Sequence, residues 1–182
     1  GVAESSILEC PIGIERHWMK DIVDTVGDKR IFVFVGRDER RKGIFELNEA
    51  LSMINKDVDF TFNFIGPIPE ANRINDKRVR YFGPIYDEEK VRQLLWSCDV
   101  LVCPSYSEGM PTVIMEGMSS RLAIIATDVG AVNQQVNSQN GWLLNEPKVD
   151  LIYKAINEVL NISDVELGTK KQNSIQHITY NY

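Results

Sequence analysis

Glu108 and Glu116 stand eight positions apart in the stretch SEGMPTVIMEGM, with a Pro-Thr pair between them. Pro111 suits the first position of a helix, where its missing N–H costs nothing and its fixed φ helps. The N–H groups of Thr112 and Val113 would then point back towards the strand before them and make an anion site. Glu116 would share a helical face with Thr112, Met115 and Ser119, while Glu108 stays in the loop, so the two carboxylates can flank one crevice. A second concentration of charge lies upstream, where Arg37, Arg40, Arg41 and Lys42 fall within six positions just ahead of a helical pattern. Cations at that end of a helix oppose its dipole, and an anion would resolve the conflict. A diphosphate between Arg37, Lys42 and the helix N-terminus would be attracted by side-chain charge and backbone dipole together. Taken singly, each feature is also compatible with solvated surface charge.

The two better-known phosphate loops fail here. From Gly36 the chain reaches Arg41-Lys42-Gly43, without the second glycine before the lysine or the hydroxyl after it that a Walker A loop needs. Gly36 and Gly43 are the only glycines of the turn, so the dinucleotide G-x-G-x-x-G is absent as well.

Alternating strands and helices must position these residues. Arg30 to Val35 is a continuous apolar run bounded by Gly36, and Ile44 to Ile54 carries apolar residues at helical spacing. Strands follow at Asp59 to Ile65, Val79 to Phe82, Val100 to Cys103 and Leu122 to Thr127, with a short last one at Gly141 to Leu144. Helices are predicted from Asp87, from Pro111, over about Val149 to Leu160 and over Asp164 to Tyr180. Apolar strands alternating with helices indicate an α/β fold, a Rossmann-like doubly wound parallel sheet with helices on both faces. Such sheets bind ligands outside the carboxyl ends of their strands at a topological switch point. Both charged turns lie at such ends.

Composition sets the outer bounds. The chain has 182 residues, 43% hydrophobic and 25% charged, as expected of one globular domain. The net charge of −6 argues against gripping nucleic acid. No run is long enough to span a bilayer and no signal peptide is visible, which makes a cytoplasmic location the default. Cys10, Cys98 and Cys103 lack C-x-x-C spacing and read as reduced thiols, and no metal site is expected.

Together these pieces resemble the C-terminal, donor-binding domain of a GT-B glycosyltransferase of family four, glycosyl transferases group 1. The landmarks are PIGIE at Pro11 to Glu15, similar to that family's hinge segment, the turn FVGRDERRKG, the E-x7-E signature EGMPTVIME, and ATDVGA. The resemblance implies a hinge or connector over residues 1–17 and a nucleotide-sugar-binding domain over residues 18–182. It also implies an N-terminal, acceptor-binding domain outside this chain and a final crossing helix beyond Tyr182. By the same resemblance, the expected activity is retaining transfer of a sugar from a nucleotide-diphosphate donor to a glycan or lipid-linked acceptor. Peripheral membrane contact follows from that acceptor class. Arg37, Lys42 and Glu108 are the implied catalytic residues, the first two holding the diphosphate and Glu108 contacting the sugar. Glu116 is implied to hold the ribose, with Gly36, Gly109, Met110, Pro111 and Thr112 along the sugar and phosphate. Ile85 and Tyr86 would lie near the base. No cofactor and no metal are implied, because the cations can neutralise the diphosphate. Ala131, Gln134 and Gly117 depart from the usual Gly, Glu and Ala, the last being a small change. A non-catalytic nucleotide-diphosphate-binding module and a GT-B-like sugar-nucleotide epimerase are the competing readings.

Overall fold

The computed structural model describes residues 13–21, 27 and 29–182. Six parallel strands, β1 (Arg30–Val35), β2 (Phe60–Ile65), β3 (Val79–Tyr81), β4 (Val100–Cys103), β5 (Ala123–Thr127) and β6 (Gly141–Leu144), form one sheet in the order β3-β2-β1-β4-β5-β6. The chain leaves β1 in one direction for β2 and β3, then returns to place β4 on the other side of β1. The loops that follow β1 and β4 therefore diverge from adjacent strands and open a crevice between them, the geometry of a switch point.

Side-chain alternation decides which helices cover each face. The FTFNFI pattern of β2 sends Phe60, Phe62 and Phe64 to one side, where with Phe32 and Phe34 of β1 they form an aromatic layer. Phe32 and Phe62 stack at 6.0 Å and Phe62 and Phe64 lie 4.8 Å apart, pairings each worth about 0.5–1.5 kcal/mol beyond burial. Helices α1 (Ile44–Ser52) and α5 (Val149–Asn161) cover this layer with Leu47, Leu51, Ile152, Ile156 and Val159. The opposite face takes α2 (Glu88–Trp96), α3 (Thr112–Ser119) and α6 (Asp164–Asn181), which pack Leu95, Ile114, Met118 and Ile178 on Val33, Leu101 and Ile124. Helices lie on both faces, as a doubly wound sheet requires.

Local chemistry sets several starts. Asp87 caps α2 by accepting from the amides of Glu89 and Lys90 at 3.1 and 3.4 Å, with Glu88 and Glu89 suited to the dipole. Ser163 caps α6 from Glu166 N at 3.2 Å, in an S-x-x-E sequence.

The sequence-based boundaries need small corrections. Pro111 is the residue before α3, not its first residue, and no side chain caps that N-terminus. Strands β2, β3 and β5 each lose an end residue, Asp59, Phe82 and Leu122, and α1 stops at Ser52. The single turn α4 (Val132–Gln135) adds a helix that the sequence pattern does not signal. Pro11, Ile12 and Cys10 lie outside the described residues. So do residues 1–9, whereas the described end of the connector and the residues just after it dock on the domain: Arg16–Trp18 forms a 3-10 turn, Ile14, Trp18 and Met19 pack on the α2/α3/α6 face, and Lys20 N donates to Ser119 O at 2.9 Å.

Candidate functional site

The basic turn folds as a 3-10 turn, Arg40–Lys42, between β1 and α1. Gly43 closes it at φ +68°, where a Cβ would lie 2.0 Å from the carbonyl oxygen of Pro104. Only glycine permits that contact, and it presses the turn after β1 against the loop after β4. Tyr106 N donates to Arg41 O at 2.7 Å and fixes the same approach.

That approach brings the two charged stretches together. Lys42 Nζ donates to Glu108 Oε1 at 2.7 Å, and Ser105 Oγ donates to the same oxygen at 2.7 Å. Arg41 Nη1 stands 3.5 Å from Glu108 Oε2. The Lys42 and Glu108 side chains keep only 15% and 9% of their surface exposed, so this ion pair is largely shielded from water. The loop carrying Glu108 is held from behind by Gly130. Its φ is +59°, and a Cβ there would meet the Glu108 carbonyl oxygen at 2.1 Å. Ala131 N donates to Gly109 O at 2.8 Å.

The expectation that an anion must relieve the basic turn is only partly met, because protein carboxylates do much of that. Glu46, in the first turn of α1, takes Arg40 through both oxygens at 2.7 and 2.9 Å, and Tyr106 lies under the guanidinium at 4.4 Å from its ring centre. Glu39 pairs with Arg37 and Arg41.

A cavity of about 380 Å³ opens over this cluster, lined by Gly36, Arg37, Arg41, Lys42, Ile85 and Tyr86 among others. Tyr86 is 95% exposed at its rim. Gly36 is set there by its N–H to Ile65 O at 2.9 Å, and Gly66, at φ +138°, lets the β2 loop reach within 1.8 Å of Gly36 O measured from a hypothetical Cβ. A larger cavity of about 430 Å³ runs along β6 beneath Trp142. It carries Lys154, Lys170 and Glu158 on a sheet edge rather than convergent charge at the switch point, so the chemistry favours the smaller one.

The structure seats the two glutamates differently. Glu108 joins the cations, whereas Glu116 lines a separate cavity of about 230 Å³ with Ile14, His17, Glu88 and Thr112. Helix α2 contributes to both, through Val91 and Glu88 respectively. Of the face expected around Glu116, Thr112 and the largely buried Met115 line the same cavity, and Ser119 is fully buried away from it. Burial pushes the Glu116 carboxyl up from its ordinary value, a hydrogen bond from Thr112 opposes the shift, and the charge of Glu88 adds to it. With the folded pKa above the unfolded one, the folded state binds more protons between the two values, so stability is lost as pH rises through the folded pKa. Glu116→Gln is therefore expected to raise the melting temperature slightly at neutral pH, with the gap closing in acid below 4.5. Thermal melts across pH check this.

Several site residues escape a reading of the sequence. Ser105, just past the end of β4, carries no motif of its own. Glu39, Tyr106, Glu88 and His17, which contacts both Glu15 and Glu88, carry no motif. Gly117 proves a packing constraint, not a small change, since a Cβ would lie 2.8 Å from Leu101 Cδ2. Ala131 sits at φ −95°, so glycine is not needed there, and Gln134 is exposed. Buried Cys98 and Cys103 have thiols pushed up to about 11 by desolvation, so neither is a thiolate nucleophile at neutral pH. No group of three or more His, Cys, Asp or Glu suited to a metal occurs among the described residues. An Asp-x-Asp string does occur at Asp57-Val58-Asp59, but it precedes β2 at the opposite end of the sheet, and Asp59 pairs with Lys29 at 2.6 Å.

A parallel sheet in this order, with a cationic turn after β1 clasped to an E-x7-E loop and helix after β4, is one half of a GT-B fold, of the C-terminal type. The model of the family described as glycosyl transferases group 1 matches residues 29–161, and the chain belongs to that family. It is 34% identical over 163 residues to the putative teichuronic acid biosynthesis glycosyltransferase TuaC of Bacillus subtilis, covering 84% of this chain and 41% of that protein. It is 32% identical over 151 residues to the uncharacterized glycosyltransferase MJ1178 of Methanocaldococcus jannaschii, covering 78% of this chain and 41% of the relative. The chain thus spans about two fifths of the length of these relatives. Among solved structures, the C-terminal domain of the group 1 glycosyl transferase LpcC from Francisella tularensis superposes with a TM-score of 0.77 at 22% identity, over 93% of this chain and 98% of that one. Anabaena HepE in complex with UDP-glucose superposes with a TM-score of 0.71 at 19% identity, over 84% of this chain and 44% of that one. No described helix is long and apolar enough to cross a membrane.

Proposed function

We propose that this chain is the donor-binding half of a retaining glycosyltransferase and that a nucleotide-diphosphate sugar binds in the crevice between the ends of β1 and β4. The observation that carries this is the shielded Lys42–Glu108 pair, 2.7 Å, flanked by Arg37 and Arg41 at the switch point. As the bond from the anomeric carbon to the phosphate oxygen breaks, negative charge gathers on the departing diphosphate. Lys42 and Arg37 neutralise that charge, together with the uncapped N-terminus of α3 at Thr112. Because Lys42 is already held by Glu108 and the helix end by its backbone, these two need little reorganisation as the charge develops.

Glu108 is poorly suited to be a free base, since Oε1 already receives Lys42 and Ser105. Its role is to hold a sugar hydroxyl and to orient Lys42. Glu116 meets the ribose hydroxyls, Gly109 to Pro111 run along sugar and phosphate, and Ile85 and Tyr86 border the base. The acceptor, a glycan or a lipid-linked sugar, is held mainly by a further domain of the whole protein. The relative TuaC, named for teichuronic acid biosynthesis, supports that acceptor class. UDP is the first nucleotide to try, because a protein of this fold was captured with UDP-glucose.

Calorimetric titration with UDP, GDP and ADP in the presence of a chelator tests the proposal. Saturable one-site binding of one of them is expected. No binding of any at millimolar concentration, or binding only with added divalent metal, would overturn it.

A further inference from the structure

Four cations crowd the basic turn, but they are not equally committed. Arg40 is engaged away from the cavity by both oxygens of Glu46 and by the Tyr106 ring, and it does not line the cavity. Lys42 is taken by Glu108. Arg37 and Arg41 both line the cavity, and both hold the same carboxylate: Arg37 Nε reaches Glu39 Oε1 at 2.9 Å and Arg41 Nε reaches Glu39 Oε2 at 2.7 Å. One carboxylate bridging two guanidinium groups through its two oxygens has the charge and the fork geometry of a bound phosphate. Arg41 also stands 3.5 Å from Glu108 Oε2, so the charges alternate in a continuous row, Arg37, Glu39, Arg41, Glu108, Lys42.

We infer that Glu39 is an internal stand-in for the donor diphosphate, and that Arg41 is a third diphosphate-binding cation beside Arg37 and Lys42. The inference rests on the donor-site reading above and adds two residues to it. Before a donor arrives, Glu39 keeps the two arginines paired and pointed at one anionic position, which limits their mutual repulsion. An arriving diphosphate competes with the Glu39 carboxylate for the same donors, and the carboxylate turns out to water. Glu39 thus preorganises the cations and lowers the apparent affinity by the cost of its displacement. The Arg37 and Glu39 side chains are 72% and 32% exposed, so that cost is modest. The effect should grow with the charge of the ligand, being larger for a diphosphate than for a monophosphate.

The test is calorimetric titration of the wild-type chain, Glu39→Gln, Arg41→Gln, Arg41→Lys and the Glu39→Gln/Arg41→Gln double variant. UDP, GDP and ADP are the probes, with the monophosphate of whichever binds. Glu39→Gln is expected to tighten the diphosphate about three- to tenfold and the monophosphate less than about twofold, the scale set by two exposed ion pairs. Arg41→Gln is expected to weaken the diphosphate about tenfold, with partial rescue by Arg41→Lys and a smaller gain from Glu39→Gln in the double variant, where only the Arg37–Glu39 pair is left to displace. Unchanged thermal melts exclude misfolding as the cause. If the wild type binds and Lys42→Ala loses binding, yet Glu39→Gln and Arg41→Gln match the wild type, this inference alone is overturned. If the wild type binds none of the three nucleotides, the donor-site reading fails and carries this inference with it.

Discussion

Lys42→Ala is expected to weaken nucleoside diphosphate binding by roughly 10- to 100-fold, the scale of a charged hydrogen bond at about 1.5–3 kcal/mol. In the whole enzyme it is expected to lower sugar transfer by about 10²–10³, the scale of one preorganised donor to developing negative charge. The same substitution should also cost stability. Glu108 is 9% exposed and would keep only Ser105 and the longer contact to Arg41. Removing one partner of a fully buried pair costs about 3–5 kcal/mol. With two contacts remaining, about 1–3 kcal/mol is expected, or several degrees in melting temperature. A double-mutant cycle with Glu108→Gln separates the two losses. Most of the stability should return in the double variant, because no uncompensated carboxylate remains, while the binding loss should persist.

Gly43→Ala is expected to be the most damaging conservative change at the site. The residue occupies φ +68°, and its new Cβ would lie 2.0 Å from Pro104 O. A positive φ costs an alanine about 1–3 kcal/mol on its own. The clash is with backbone, which has no rotamer to yield, so the turn and the β4 loop must separate. A loss of about 3 kcal/mol or more is expected, lowering the melting temperature of a chain this size by about 6–12 °C. Because that separation stretches the Lys42–Glu108 contact, diphosphate affinity should fall with stability. By contrast, Gly109 has an ordinary φ and a Cβ added there would meet nothing within 4 Å, so Gly109→Ala should leave the melting temperature nearly unchanged. Thermal melts of the two variants, followed by titration of each, check the pair.

The difference between these glycines marks what the amino-acid sequence can and cannot disclose. Strands β1, β4 and β6 are legible to the residue, because each is a continuous apolar run with a Gly, Pro or polar residue at its end. The alternation of strands and helices points to the doubly wound sheet, and it puts both charged turns at strand ends along one edge. The association of Glu108 with Lys42 is not legible. It depends on β1 and β4 being neighbours across the switch point and on Gly43 meeting Pro104, neither of which any local pattern encodes. Glu39 and Glu46 are hidden in the same way, since a carboxylate among cations reads as ordinary surface charge until its partners are seen. Helical spacing puts Glu116 on the right helix, but its place beside Glu88 and His17 depends on tertiary packing that no local pattern encodes.

The central claim is the location of the diphosphate, and amide chemical-shift mapping with UDP, GDP and ADP tests it most directly. With a nucleotide that binds, the shifts are expected to centre on Gly36 to Gly43 and Gly109 to Val113, with Ile85 and Glu116 moving and Lys42→Ala needing about 10- to 100-fold more nucleotide to reach the same shifts. Shifts centred on the Trp142 groove beside β6, or on the cavity between Arg121 and Gln172, would contradict the account.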